Sequence, residues 1–224
     1  MGSEMCIRDR GIVTDATYIQ MKTLNSSRGP AVRALRAQSD KKEYMTFMRH
    51  LIESNQNISL KQAMATELIV ENDTVKGVKD EFGLEYLAPA VILTTGTSLE
   101  GKCYVGLQYV NAGRMGERAA TGLSASLLKN GLELKRLKTG TPARVDSRTI
   151  DYSKMTIQPG DEELRFFSFE PNRPVRKQYP CYLTRTTEKT HEIIKNNLDK
   201  SPLYAGLIHG IGPVSYTHLT LPTT

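Results

Sequence analysis

The stretch AVILTTGT, residues 90–97, is a continuous apolar run that ends in Thr-Thr-Gly. Such a run is typical of a β-strand buried on both faces, as in an α/β sheet covered by helices, and Gly96 permits a tight exit. In open α/β sheets, ligands bind just beyond the carboxyl ends of the strands. The run therefore predicts an α/β fold with a ligand site near Gly96, although an ordinary strand and turn would give the same pattern.

The residues just before this run predict an antiparallel meander. Residues 68–78 contain two β-prone arms around the polar turn Glu71, Asn72 and Asp73, and Gly77 is placed for a bulge. The following residues alternate between apolar and polar up to Tyr86, which predicts a third strand.

Residues 40–55 give the clearest helical pattern in the chain. Asp40 and Glu43 have the spacing of a capping box. An apolar stripe at helical spacing predicts core packing. The stripe consists of Tyr44, Phe47, Met48, Leu51 and Ile52.

Two further helices and a strand are predicted in the second half of the chain. Residues 116–130 have helical spacing and end at Gly131, a plausible C-cap, and alternating leucines at 132–137 then predict a strand. Residues 186–197 predict a short helix with a threonine N-cap and with Ile193 and Ile194 facing inward. The proline-rich residues 150–179 predict a boundary region or an insertion.

Composition limits the class of protein. The 224 residues are 39% hydrophobic and 24% charged, and the longest apolar runs are too short to span a membrane, so a cytoplasmic globular protein is predicted. Three widely spaced cysteines without a CxxC pair favour reduced thiols and predict no metal site. The formal charge of +6 favours anionic partners, although proteins that bind none carry similar charge.

The most basic motif is NSSRGPAVRALRAQSD, residues 25–40. Pro30 fixes its own φ and lacks an amide donor, so this run is predicted to be a loop. Arg33 and Arg36 would share a face if the chain turned helical, and would present two guanidinium groups to phosphate or carboxylate oxygens. A solvated basic surface explains the same spacing. Lys138 and Arg144 flank a second sequence of this kind, KTGTPAR, which lacks the order of a Walker loop.

Five segments, in this order, resemble the glucose-inhibited division protein A family. They are residues 25–40, AVILTTGTSLEGK (90–102), GRMGERAATGLSASL (113–127), LKTGTPARVDSRTIDYS (137–153) and PCYLTRTTEKTHEIIKNNLDKSPLYAG (180–206). The resemblance covers residues 11–213. Residues 1–10 and 214–224 resemble translated sequencing adapters and are expected to be foreign to the protein.

The resemblance implies an FAD-binding, Rossmann-like α/β domain with an inserted NAD-binding-like domain. It assigns residues 11–145 to a partial FAD-binding domain with the start of the inserted domain, and residues 146–213 to part of the inserted domain. The positions that it implies for contact with FAD are Met64, Ala65, Thr95, Gly96 and Ala120. The positions that it implies near the substrate or flavin are Arg28, Arg33, Arg36, Gln38, Lys138 and Arg144.

The resemblance also implies an activity, the addition of a carboxymethylaminomethyl group to C5 of the wobble uridine of certain tRNAs. NADH would be the reductant, a GTPase subunit and tRNA the partners, and the full-length protein a homodimer. The family's glycine-rich loop and reactive cysteines are expected outside this segment, so the catalytic residues are unknown and the segment alone is expected to be inactive. The alternatives are a folate- and FAD-dependent tRNA methyltransferase, a general flavin oxidoreductase and a tRNA-binding module without redox activity.

Overall fold

The computed structural model describes the backbone of residues 2–210 and the side chains of residues 8–210. The chain divides into two compact units: unit 1 comprises residues 1–61 and 145–185, and unit 2 comprises residues 62–144 and 186–224. The domain boundaries implied by the resemblance remain a prediction, and the tail expected to be foreign, 214–224, lies outside the described residues. Within the described range, every helix is too short or too polar to cross a membrane.

Four helices and ten strands make up the regular structure of the described residues. The helices are α1 (Gly2–Thr17), α2 (Lys41–Glu53), α3 (Leu123–Lys129) and α4 (Glu188–Lys195). The strands are β1 (Tyr18–Leu24), β2 (Ala34–Ser39), β3 (Ala65–Glu71), β4 (Thr74–Asp80), β5 (Glu85–Leu87), β6 (Lys102–Val105), β7 (Gln108–Arg114), β8 (Glu117–Arg118), β9 (Thr156–Gln158) and β10 (Cys181–Leu183).

Unit 1 is built around β1, which pairs antiparallel with β2. The other edge of β1 is bonded by the proline-rich region: the N–H of Asp161 donates to the carbonyl of Met21 (2.9 Å), and that of Tyr179 donates to Ile19 (2.8 Å). Residues 150–179 therefore belong to the packed body of unit 1. Strand β9, within this region, pairs antiparallel with β10, which follows it.

Helix α2 confirms the helix predicted at residues 40–55. It begins after Asp40, whose carboxylate accepts hydrogen bonds from the N–H groups of Lys42 and Glu43, both at 2.9 Å. The predicted core role of its apolar stripe is only partly right, because Phe47 is exposed and the other four members are half-buried. Helix α2 packs against α1.

Unit 2 contains the predicted meander, with strand order β3-β4-β5. Asn72 and Asp73 both have left-handed φ, 48° and 56°, which matches the twist that a two-residue hairpin turn requires. A register shift lies beside Gly77, at the predicted bulge. Helix α3 packs on β3, where the N–H of Leu68 donates to Ser126 Oγ (2.9 Å).

The remaining strands form separate small sheets. In unit 2, β6, β7 and β8 form a three-stranded antiparallel sheet, and an isolated parallel bridge joins Leu99 to Ala120. All the strand pairs of the named sheets in the described residues are antiparallel.

The prediction of a buried strand at residues 90–97 is wrong. Residues 91–95 have no regular structure and Ile92 is 87% exposed. An apolar run becomes a doubly covered strand only when neighbouring strands supply its backbone hydrogen bonds, and the described residues hold no strand beside it. The prediction of a strand at 132–137 is also wrong: residues 132–136 are irregular, Leu137 forms only a single β-bridge, and both Leu132 and Leu137 are exposed.

The other helices form with altered limits. Helix α3 begins at Leu123 and not at residue 116, because Glu117 and Arg118 pair with β7 and Gly122 has a φ of 93°. Its predicted cap is confirmed, since the N–H of Gly131 donates to Leu128 and that of the next residue donates to Leu127. Helix α4 forms after Thr187, but Ile193 and Ile194 are more than half exposed, so the inward orientation predicted for them is wrong.

We expect Gly77→Ala to destabilise unit 2 by about 1–3 kcal/mol, the usual range for overpacked positions. A Cβ at Gly77 would lie 2.1 Å from the carbonyl oxygen of Tyr86, a backbone atom that cannot move away without breaking the β4–β5 pairing. Hydrogen exchange on peptides that cover β4 and β5 measures the effect. The matched control is Gly140→Ala, which meets no atom within 4 Å. Equal protection in both variants would contradict this account.

Candidate functional site

The predicted arginine run is only partly a loop. Pro30–Val32 forms a short 3-10 helix and β2 follows directly. Arg33 lies between these elements and Arg36 lies within β2, so the two do not share a helix face. The polar residues of β2, Arg36 and Gln38, alternate with half-buried Leu35 and Ala37, and both are exposed on one face of the β1–β2 ribbon.

The loop before the 3-10 helix is held by Asn25. Asn25 has a left-handed φ of 54°, and its side-chain amide donates to the carbonyl of Val32 (3.0 Å). The N–H of Arg28 donates to the carbonyl of Asn25 (3.0 Å), which closes a turn. Arg28 therefore lies at an exposed turn on the same loop that leads to Arg33.

Two residues that the sequence interpretation missed lie opposite these polar residues. In the β1–β2 register, Lys22 pairs with Arg36 and Gln20 pairs with Gln38. Directly paired residues of antiparallel strands project from the same face. The only sequence signal for them was the alternation of polar residues at 18–24, which no motif marked.

Gln20 is a fully engaged buried amide, 2% exposed. Its Nε2 donates to the carbonyls of Gln158 (3.1 Å) and Tyr179 (3.2 Å), and its Oε1 accepts from the thiol of Cys181 (3.4 Å). Gln38 Nε2 in turn donates to Cys181 Sγ (3.5 Å). Cys181, a free cysteine, thus links the two glutamines across the ribbon.

A cleft of about 570 Å³ opens beside this ribbon in unit 1. Its cations are Lys22, Arg33 and Arg165, and its acids are Asp161, Glu162 and Glu163. The acids are partly engaged: Asp161 accepts from the N–H of Thr23 (2.6 Å), and Glu163 lies 3.7 Å from Arg165. The cleft is therefore polar and open, and suits a charged ligand better than an apolar one.

The five predicted cofactor positions all lie in unit 2. Thr95 and Gly96 form a turn in which the Thr95 carbonyl accepts from the N–H of Ser98 (3.0 Å), and the N–H of Ala120 donates to the carbonyl of Ser98 (2.8 Å). Three of the positions are thus joined through one residue. Gly122, two residues after Ala120, lies against Thr66 beside the other two positions, Met64 and Ala65.

Lys138 and Arg144, the last two predicted site residues, also lie in unit 2, in a segment without helix or strand. Lys138 is half-buried beside Gly210, and Arg144 is exposed. The predicted substrate residues are therefore divided between the two units, with the other four in unit 1.

Asp80 closes the β4–β5 loop at the end of β4, where it pairs with Ala65. Its carboxylate accepts from the N–H groups of Phe82 and Leu84, both at 2.9 Å, and from the Tyr86 hydroxyl at 3.2 Å. Burial raises the pKa of Asp80, but these hydrogen bonds outweigh it and the net pKa is lowered. Burial, followed by the bond to Asp80, raises the pKa of the Tyr86 hydroxyl.

We expect Asp80 to make unit 2 acid-sensitive. Because its pKa is lower in the folded than in the unfolded state, its stabilising effect is present above its ordinary pKa near 4 and is lost as pH falls through the folded value. The melting temperature of Asp80→Asn should fall below that of the unchanged chain at pH 7, and the difference should shrink below about pH 4. Asp199→Asn, an exposed acid, is the control. A difference independent of pH would contradict this role.

Comparison with known proteins assigns the chain to a family. A family model described as glucose inhibited division protein A matches residues 4–220. The chain belongs to this family. Two relatives are each named tRNA uridine 5-carboxymethylaminomethyl modification enzyme MnmG. The Synechocystis protein is 51% identical over 205 residues, and that of Thermodesulfovibrio yellowstonii is 52% identical over 201 residues.

Solved structures agree with this membership. Aquifex aeolicus GidA in one crystal form has a TM-score of 0.83 and 41% identity, and covers 99% of this chain and 39% of its own; a second crystal form has a TM-score of 0.80 and 38% identity. The predicted resemblance and α/β fold class are confirmed. The match covers 91% of this chain but 32% of the Synechocystis protein, so the chain spans about a third of the length of the curated relatives it matches.

Proposed function

We propose that this chain is an internal segment of a longer FAD-dependent enzyme that adds a carboxymethylaminomethyl group to C5 of the wobble uridine of certain tRNAs. The observation that carries the proposal is the 51% identity over 205 residues to a relative named for this modification. A tRNA substrate implies work in the cytoplasm. The segment alone is inactive in this proposal, because it spans only about a third of such relatives.

The geometry around Gly96 supports an FAD contact in unit 2. Gly96 has a left-handed φ of 56°, and a Cβ built there would meet no atom within 4 Å, so its backbone faces open space. A flat ligand can approach such a backbone closely. In this proposal Thr95 and Gly96 offer backbone groups to FAD, and Met64 and Ala65 lie along its path.

Ala120 has a more limited role in this proposal. Its N–H donates to the carbonyl of Ser98 and its own carbonyl accepts from the N–H of Glu100 (2.9 Å), so both backbone groups are already engaged. Its methyl group offers no hydrogen bond either. Ala120 would therefore contribute van der Waals contact to FAD and keep the Ser98 turn in place.

The bound flavin would supply the redox chemistry, receiving electrons from NADH and helping to join a one-carbon unit and an amine to the uridine ring. The chain's own residues would bind and orient the cofactor and the substrate. In unit 1, Arg28, Arg33, Arg36 and Gln38 would face the substrate or the flavin. In unit 2, Lys138 and Arg144 are the candidates for the same role. The GTPase partner and the homodimer belong to the full-length enzyme in this proposal.

The test is nucleoside analysis of tRNA. The full-length gene that contains this chain is expressed in a bacterium that lacks its own enzyme of this family, and the tRNA is digested and analysed by mass spectrometry. Return of 5-carboxymethylaminomethyluridine supports the proposal. A folded protein that leaves the wobble uridine unmodified contradicts it, and a methylated uridine in place of the expected nucleoside would indicate the related methyltransferase.

A further inference from the structure

The β1–β2 ribbon holds two cations side by side. Lys22 and Arg36 are directly opposed in the register. Such pairs have Cβ atoms about 4.5–5.5 Å apart, and like charges at this distance destabilise a sheet. An anion bound between the two side chains would remove this repulsion.

No ion pair offsets this repulsion within the described part of the chain. The nine ion pairs found among the described residues include none with Lys22, Arg33 or Arg36. Two other arginines of unit 1 differ: Arg165 is paired with Glu163, and Arg176 with Glu43. These three cations are therefore available to an anion from outside the described residues.

The cleft in unit 1 is a candidate binding site for such an anion. Lys22 and Arg33 line it together with the hydroxyl-bearing residues Thr23 and Ser26. Three acids share the lining: Asp161 accepts a hydrogen bond from the N–H of Thr23, Glu163 lies 3.7 Å from Arg165, and Glu162 is the third. An anion would therefore bind at the wall formed by Lys22 and Arg33, away from these carboxylates. Ammonium, guanidinium and hydroxyl donors on one wall match the oxygens of a phosphodiester.

We infer that Lys22, Arg33 and Arg36 form a phosphate-binding subsite for an RNA strand. The inference rests on the proposed function, which makes tRNA the substrate, and adds Lys22 and the unit 1 cleft to its binding surface. A polynucleotide fits better than a dinucleotide cofactor, because the cations are spread along a β-ribbon and its loop. A dinucleotide pyrophosphate is usually held at a glycine-rich turn and a helix N-terminus.

The test measures binding of an unmodified tRNA transcript to the full-length protein at several salt concentrations. We expect Lys22→Met to weaken binding about 5- to 10-fold at moderate salt, and to lower the slope of log K against log salt by roughly 0.7–0.9, the value of one lost phosphate contact. The melting temperature should stay equal or rise, because the like-charge pair is removed. A merely structural lysine would lower both binding and stability.

Controls separate the possible causes. Lys22→Arg should retain binding, and Arg49→Ala should leave it unchanged because Arg49 is already paired with Glu53 at 2.7 Å. Unchanged tRNA affinity and salt slope in Lys22→Met would overturn the inference, as would a raised KM for NADH with normal tRNA binding. If the unchanged full-length protein neither binds nor modifies tRNA, the proposed function fails instead.

Discussion

Replacing Asp15 with alanine is expected to destabilise unit 1 by about 3 kcal/mol or more. The Asp15 side chain is 1% exposed. Its carboxylate accepts from the N–H of Phe167 (2.9 Å) and from both the N–H (2.8 Å) and the hydroxyl (2.6 Å) of Ser168. The substitution would leave these donors without an acceptor in the interior, and each such loss costs about 1–3 kcal/mol.

The contact joins two parts of the chain that are 152 residues apart. Hydrogen exchange on peptides that cover β1 and residues 167–179 would measure the loss in unit 1 alone. Asp15→Asn should be nearly as harmful, because its NH₂ group would face donors. Glu53→Ala is the control: it removes an acid from an exposed helical ion pair, which contributes only about 0.3–0.5 kcal/mol. Similar protection in Asp15→Ala and Glu53→Ala would contradict the role given to Asp15.

Replacing Arg33 with alanine in the full-length protein is expected to lower kcat/KM for tRNA modification about 10- to 100-fold. A charge-assisted hydrogen bond contributes about 1.5–3 kcal/mol, and 1.4 kcal/mol corresponds to a factor of ten. Arg33 is exposed, lines the cleft and forms none of the ion pairs found among the described residues. Folding should therefore be unaffected, and Arg36→Ala should behave in the same way.

Quantifying the modified nucleoside against time at several tRNA concentrations gives kcat/KM for each variant and for the unchanged protein. Arg49→Ala serves again as the matched control, since it removes an exposed arginine of unit 1 that is already paired. Unchanged kinetics in both Arg33→Ala and Arg36→Ala would show that the arginine run is only a solvated surface.

Local signals in the sequence were sufficient where neighbouring residues determine the structure. The Asp40 cap, the Asn72–Asp73 turn and the Gly131 helix end each depend on a few adjacent residues and were predicted. The capping box is only half formed, because Glu43 pairs with Arg176 and the N–H of Asp40 donates to the carbonyl of Thr17. The family resemblance depended on longer motifs, and comparison confirmed it.

The strands that were predicted wrongly or missed depend on pairing between residues far apart in the sequence. The run at residues 90–97 has the composition of a buried strand, but composition does not supply the neighbouring strands it would need. The β1–β2 pairing was missed because Arg33 and Arg36 were interpreted at helical spacing, although Arg36 and Gln38 alternate with Leu35 and Ala37 as in a strand. Lys22 and Gln20 became candidates only when the register placed them opposite these residues.

The most direct test of the central claim is the visible absorption spectrum of the purified full-length protein that contains this chain, before and after addition of NADH. Our account predicts the bands of oxidised flavin and their bleaching by NADH, because the proposed chemistry depends on that cofactor. A folded, colourless protein that takes up no added FAD would contradict the claim and leave a tRNA-binding protein without redox activity.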